Sequence, residues 1–171
     1  MKETPQEYTK RMLGYTANGE NSMKVQGATA RKLEKLIEGV PAGKLKKRPA
    51  PDKWSVQEIL AHLADAEIAG SWRIRSILGA PGTPVQAFDQ DAWVVAGHYN
   101  RRDPKQSIAQ FRALREVNLA LYKSLTPEQW KHFGMHSERG EESVEHIAKM
   151  FAGHDLNHIA QIEGILAKKK K

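Results

Sequence analysis

The chain of 171 residues contains no cysteine. This excludes disulfides, thiolate metal ligands and a cysteine nucleophile, so any metal must be held by imidazole, carboxylate, amide or water. No apolar run approaches the ~20 residues needed to span a bilayer, and the polar stretch from Met1 to Arg11 is unlike a signal peptide. A cytoplasmic protein with no membrane partner is expected. Strand-like alternation, two-residue hairpin signals and internal repeats are all missing. So are a phosphate-cradling glycine loop, a dinucleotide fingerprint and a Ser-His-Asp arrangement, which leaves the common enzyme classes built on them without support.

An apolar fraction of 40% over this length suits one globular domain, expected over residues 1–167 with a basic tail at 168–171. The formal charge of +7 would favour polyanions. Yet Lys168 to Lys171 form the tail, and Lys44, Lys46, Lys47 and Arg48 form a second cluster in a connection. Without a basic helix interleaved with stacking aromatics, a nucleic-acid partner has little support.

Helical signals recur along the chain. Thr4-Pro5-Gln6-Glu7 reads as a capping box with proline at the first helical position, opening a short helix. A first long helix runs from about Ser22 to Glu38, stopped by Gly39 and Pro41, and a proline- and lysine-rich connection leads to Ser55 and Glu58, a second capping box. The helix that follows carries an apolar stripe of Val56, Ile59, Leu60, Leu63, Ala66, Ile74 and Ile77, with His62 at its edge. Glu58 either closes the cap or supports His62 from one turn away, and the cap suffices.

The segment from Leu78 to Arg102 has no sustained period and reads as a long connection, its aromatics Phe88, Trp93 and Tyr99 either covering a site or anchoring a crossover. Asp103-Pro104 opens a third long helix with Ile108, Phe111, Leu114, Leu121, Tyr122 and Leu125 on its buried face. Asn118 lies in the middle of that face, placed to orient a ligand or to satisfy a backbone group. Arg115, at its margin, is placed to pair with a carboxylate or hold an anionic substrate. Thr126 and Gln129 cap one more short turn of helix, and a polar loop from Phe133 to Glu142 precedes Ser143, a candidate N-cap. His132, His136 and His146 read as solvated, and His98 lies in the long connection.

The stretch Gly153-His154-Asp155-Leu156-Asn157-His158-Ile159-Ala160-Gln161 organises the chain. In a helix from Val144 to Leu166, His154 and His158 fall on the same stripe as Val144, Ile147, Phe151, Ile162 and Ile165, so both rings point inward. An i, i+4 pair of imidazoles is half of a metal site and needs another protein ligand. Asp155, on the inward stripe, is a candidate fourth ligand or outer-sphere acceptor, and Gln161 is a second outer candidate. Four long amphipathic helices predict an all-α four-helix bundle, a setting in which facing helices build metal sites.

Lys53-Trp54-Ser55-Val56-Gln57-Glu58-Ile59-Leu60-Ala61-His62-Leu63-Ala64-Asp65-Ala66-Glu67 and Gly153-His154-Asp155-Leu156-Asn157-His158 together resemble the DinB-like superfamily, which includes bacillithiol-type S-transferases. Phe88-Asp89-Gln90-Asp91 and Gly134-Met135-His136-Ser137-Glu138-Arg139-Gly140 are similar to it too. The resemblance implies an up-down-down-up bundle with a long crossover, for which residues 78–102 are the natural candidate. It further implies a divalent metal, zinc or nickel, on three histidines, matched here by His62, His154 and His158, and a homodimer to which Val117 could contribute. The activity implied is transfer of a low-molecular-weight thiol to an electrophile, with Arg115 or loop polar groups positioning the thiol's carboxylates. Hydrolysis through metal-bound hydroxide uses the same three ligands, and a metal-fastened module without turnover and DNA binding through the lysine clusters stand as further alternatives. No general acid or base is identified.

Overall fold

A computed structural model describes residues 3–19 and 21–167, so the tail from Lys168 to Lys171 lies outside the described residues. Four helices form the bundle: α2 (Ser22–Ile37), α4 (Val56–Gly79), α6 (Pro104–Ser124) and α8 (Val144–Ala167). Three short helices surround them, α1 (Pro5–Gly14), α3 (Ala42–Lys46) and α7 (Pro127–Lys131), and a fourth, α5 (Gln90–Ala96), lies in the crossover. No helix among the described residues is long and apolar enough to cross a membrane.

Side-chain pairings fix the helix directions. Gln26 donates to the Ala148 carbonyl and Thr29 to Asp155, so α2 and α8 run parallel. Glu67 meets Arg115 and Ser71 meets Asn118, so α4 and α6 are parallel too. Arg115 reaches back to Gln26 while Arg112 pairs with Glu34, which makes α2 and α6 antiparallel. The order is therefore up-down-down-up. The segment between α4 and α6 must carry the chain back along the bundle, and this is why it is long.

The predicted caps are present. Thr4 with Glu7, Ser55 with Glu58, and Thr126 with Gln129 each form a reciprocal capping box, and the Ser143 hydroxyl accepts from the His146 amide at the start of α8. Glu58 acts within its cap, where it also accepts from Arg48 at 2.5 Å, and makes no hydrogen bond to His62. The lysine-rich connection folds into α3, whose Lys44 donates to the Leu166 carbonyl near the end of α8.

Two stretches depart from expectation. The polar loop before α8 is a hairpin, β2 (Phe133–His136) with β3 (Gly140–Ser143), and β1 (Pro84–Val85) from the crossover pairs parallel to β2. The three-residue connection of the hairpin, residues 137–139, is followed by Gly140 at φ +80°, a left-handed conformation that glycine adopts without a steric penalty. Alternation is hidden because the buried positions are occupied by Gly134, His136 and Glu142 rather than by apolar residues. Gly134 is required there, since a Cβ would come 2.6 Å from Val85 and 2.9 Å from Ile77. The crossover likewise holds α5 and a 3-10 turn at Tyr99–Arg101, too short to show a period.

Outside the four-helix core, α1 lies across α8 in unusually close backbone contact. A Cβ at Gly153 would fall well inside contact distance of the Met12 carbonyl. Gly153→Ala is therefore expected to cost about 1–3 kcal/mol in urea unfolding by overpacking. Gly164→Ala on the same helix, where a Cβ meets nothing within 4 Å, should be neutral or stabilising by roughly 0.5–1 kcal/mol.

Candidate metal centre

His62 arrives from the second turn of α4, and His154 and His158 stand one turn apart on α8. Their rings converge. His62 Nε2 lies 3.0 Å from His154 Nε2, and His158 Nε2 lies 3.1 Å from the same atom. The three are buried, and among the described residues no carboxylate joins their cluster. Gln161 Oε1 accepts from His158 Nδ1 at 2.9 Å, which puts the proton on Nδ1 and leaves the Nε2 lone pair facing the other rings. His154 Nε2 can carry only one proton, which cannot serve both neighbours, so lone pairs are left converging.

A divalent cation fits that donor set. Ligand nitrogens about 2.0–2.1 Å from one ion lie ~2.9 Å apart at right angles and ~3.4 Å apart at tetrahedral angles. The two short separations fall within that range. Burial holds His62 and His154 far below the ordinary imidazole pKa, and lowers His158 to about 4, so the rings are neutral at pH 7 and their lone pairs are available.

The centre sits in a cavity of about 880 Å³ that runs along the groove between α4 and α8. Trp54 walls one side, its ring 4.9 Å from that of His62 and stacked at 6.4 Å on that of His158. The opposite wall is α1, where Arg11 and Tyr15 donate to Asn157 Oδ1 at 2.8 and 3.2 Å. Phe88 and Asp89 of the crossover close part of the top, while Tyr99 and Arg102 anchor its far half on Asp65 at 2.7 and 2.8 Å. The segment both covers the cavity and anchors the crossover.

Of the other predicted site residues, Gln161 alone contacts the imidazoles. Asp155 turns away from them: it accepts from Arg115 at 2.5 and 3.0 Å and from Thr29 at 2.8 Å. Arg115 is not marginal but buried in the middle of the bundle, donating to Asp155 and to Glu67 at 2.7 Å, so neither face is free for a substrate. Asn118 donates to Glu67 and accepts from Ser71 and Arg75, binding side chains rather than ligand or backbone. His136 is buried in the hairpin rather than solvated, with its pKa lowered to about 4 by desolvation and by Arg139. His132 and His146 are half-buried, and His98 is exposed at φ 47°. Sequence reasoning passed over Trp54 as a wall, and over Arg11, Asn157 and Arg73; among these only Trp54 carried a signal, its place directly before a capping box that leads to His62.

The protein is thus a helical bundle that aims three buried imidazoles, a donor set of the kind that suits a divalent metal, into an open cavity. The chain belongs to the DinB superfamily, whose sequence profile matches residues 27–162. It is 26% identical over 132 residues to YfiT of Bacillus subtilis, covering 77% of this chain and 74% of that one, and 26% identical over 132 residues to a protein of Oceanobacillus iheyensis, covering 77% and 76%. Both relatives are provisionally named metal-dependent hydrolases. The solved structure of YfiT, described as an unusual four-helix bundle topology, superposes with a TM-score of 0.78 at 25% identity, covering 84% of this chain and 83% of that one.

Behind the centre, burial pulls the Arg115 pKa down but the carboxylates of Asp155 and Glu67 outweigh it and hold the guanidinium charged. Replacing it with an apolar side chain of similar length strands two carboxylates in the core. Arg115→Met is expected to lose about 3–5 kcal/mol in chemical denaturation at pH 7. The deficit should shrink as the pH falls towards about 4, because burial raises the Asp155 pKa above its unfolded value and the stranded acid costs nothing once protonated in both states.

Proposed function

We propose that the protein is a metal-dependent enzyme in which His62, His154 and His158 hold a divalent ion, zinc or nickel, and a low-molecular-weight thiol is transferred to an electrophile in the adjoining cavity. The observation that carries the reading is the convergence of three neutral, buried Nε2 donors at one end of an open cavity. When bound, the ion supplies Lewis acidity, lowering the pKa of whatever occupies its open positions. The chain's own residues do the rest. Gln161 fixes the His158 tautomer, Trp54 and α1 shield the centre from bulk water, and Arg115 holds Asp155 away from it.

Thiol transfer is favoured over hydrolysis by what surrounds the centre. A free thiol loses its proton near pKa 8.5 and a free water only near 15.7, approximately. With no carboxylate of the described residues in the cluster to serve as a base, the thiol is the nucleophile that needs the smaller shift. Hydrolysis is the second reading, supported by the names of the relatives. Metal analysis of untagged protein is expected to find one ion per chain, absent from His154→Ala, and chelator competition to show Gln161→Ala weakened by roughly 10–100-fold. Thiol-dependent consumption of a generic electrophile should vanish with His154→Ala. Metal retained by that variant removes the centre, and ester hydrolysis without thiol dependence selects the second reading.

A second copy of the chain is the expected partner. Trp72 and Val95 are each 74% exposed and Ile68 is 46% exposed, on the outer side of α4 and on α5, which is unusual for large apolar side chains. Val117, also exposed, lies on α6. Sedimentation equilibrium should give a dimer that Trp72→Glu converts to a monomer; a monomeric parent protein refutes this assembly.

A further inference from the structure

The imidazole triad occupies one end of the cavity, and a second set of polar groups lines the other. Arg73 follows His62 by three turns on the same face of α4, about 16 Å along the helix at 1.5 Å per residue. Beside it stand His136 and Glu142 of the hairpin and Arg139 of its connection, all lining the same cavity. Apolar side chains of Ile147, Met150 and Phe151 separate the two ends.

Three residues at this end have donor groups without acceptors. His136 is 3% exposed; its Nδ1 accepts from the Glu138 amide at 3.2 Å, which places the proton on Nε2, and that Nε2–H is buried with no partner. A buried donor left unpaired costs about 1–3 kcal/mol, so an acceptor supplied by a ligand recovers that energy. Arg73 spends Nη2 on the Gln86 carbonyl at 2.7 Å and stacks at 5.4 Å on Phe88, and among the described residues its Nε and Nη1 have no acceptor. Arg139 gives Nε and Nη2 to Glu142 at 2.6 and 3.0 Å, which leaves Nη1.

Glu142 pairs with Arg139, whereas the mostly buried Arg73 forms no ion pair among the described residues; the carboxylates of Glu138 and Asp89 line the same cavity without bonding to it. A buried cation that is not paired by the protein is a docking point for an anion.

We propose that this end of the cavity is an anion subsite, in which His136 Nε2–H, Arg73 and Arg139 hold a carboxylate or phosphate group of an extended substrate whose reacting end reaches the three imidazoles. The inference rests on the metal-centre reading only for that last clause; the anion site stands on its own residues. It assigns the substrate class by shape and charge: a molecule with an anionic group roughly 15 Å from its reacting atom and an apolar or flexible middle that passes over Phe151.

The test is an NMR titration of ring-labelled histidines in the full-length, metal-free protein, with sodium phosphate and sodium malonate added in turn at constant ionic strength. The His136 ring signals should shift saturably, and the larger response to malonate or to phosphate identifies the group. In Arg73→Gln, which breaks no ion pair, binding should weaken about tenfold, the loss of one charge-assisted contact; Arg139→Gln, which also unpairs Glu142, should do the same in the fraction that circular dichroism shows to be folded. His154→Ala should leave anion binding unchanged, so failure of the metal centre and failure of the subsite are read separately. His136 signals that ignore both anions, or a response equally strong in Arg139→Gln, overturn the proposal.

Discussion

One guanidinium in the middle of the bundle sets the register of all four long helices. Arg115 reaches from α6 to Glu67 on α4, to Asp155 on α8 and to the Gln26 carbonyl on α2, and Thr29 on α2 completes the shell of Asp155. Charges so deeply buried are tolerated only while every partner is in place, because desolvation costs several kcal/mol per ion and is offset only by close, well-directed contacts. A slide of any helix by one turn would break at least one of these contacts and leave a bare charge in the core. The network therefore acts as a registry device, a role for which apolar packing alone, being non-directional, is poorly suited.

That registry is what brings the imidazoles together. Glu67 follows His62 by five residues on α4, and Asp155 sits between His154 and His158 on α8. Bridging Glu67 and Asp155 through one guanidinium fixes the relative height of the two helices. The Nε2 atoms of His62 and His158 then stand 3.0 and 3.1 Å from that of His154. The centre is thus preorganised by charges that never touch it, and α1, seated on Gly153, closes its flank without entering the bundle.

Local signals were readable from the chain, and distant ones were not. The three capping boxes, the apolar stripes and the inward face of His154 and His158 depend on residues within a turn or two of each other, and periodicity exposes them directly. His62 on its own read only as an edge residue; its place with the pair came from the resemblance to a family. Glu67 is one more charged position at the end of a motif until Arg115, 48 residues away, is known to face it. The hairpin was hidden for the opposite reason: its inward positions carry Gly134, His136 and Glu142, so the alternation that marks a strand was written in polar residues. Asp155 shows the hazard of adjacency, since a carboxylate next to a histidine on a helix projects about 100° around the axis from it, here towards Arg115.

The placement of charge also explains why the centre has a neutral donor set. Three imidazoles add no negative charge to a divalent ion, so its full field acts on whatever fills the remaining positions, whereas a carboxylate ligand would cancel part of that field. Three buried acids lie within five residues of these histidines, and all are committed elsewhere, Glu67 and Asp155 to Arg115 and Glu58 to Arg48 and its cap. The same guanidinium that sets the helix register thereby keeps anionic competitors out of the centre. Under the proposed function, Arg73 and Arg139 at the far end of the cavity are the groups placed to receive the anionic part of a ligand.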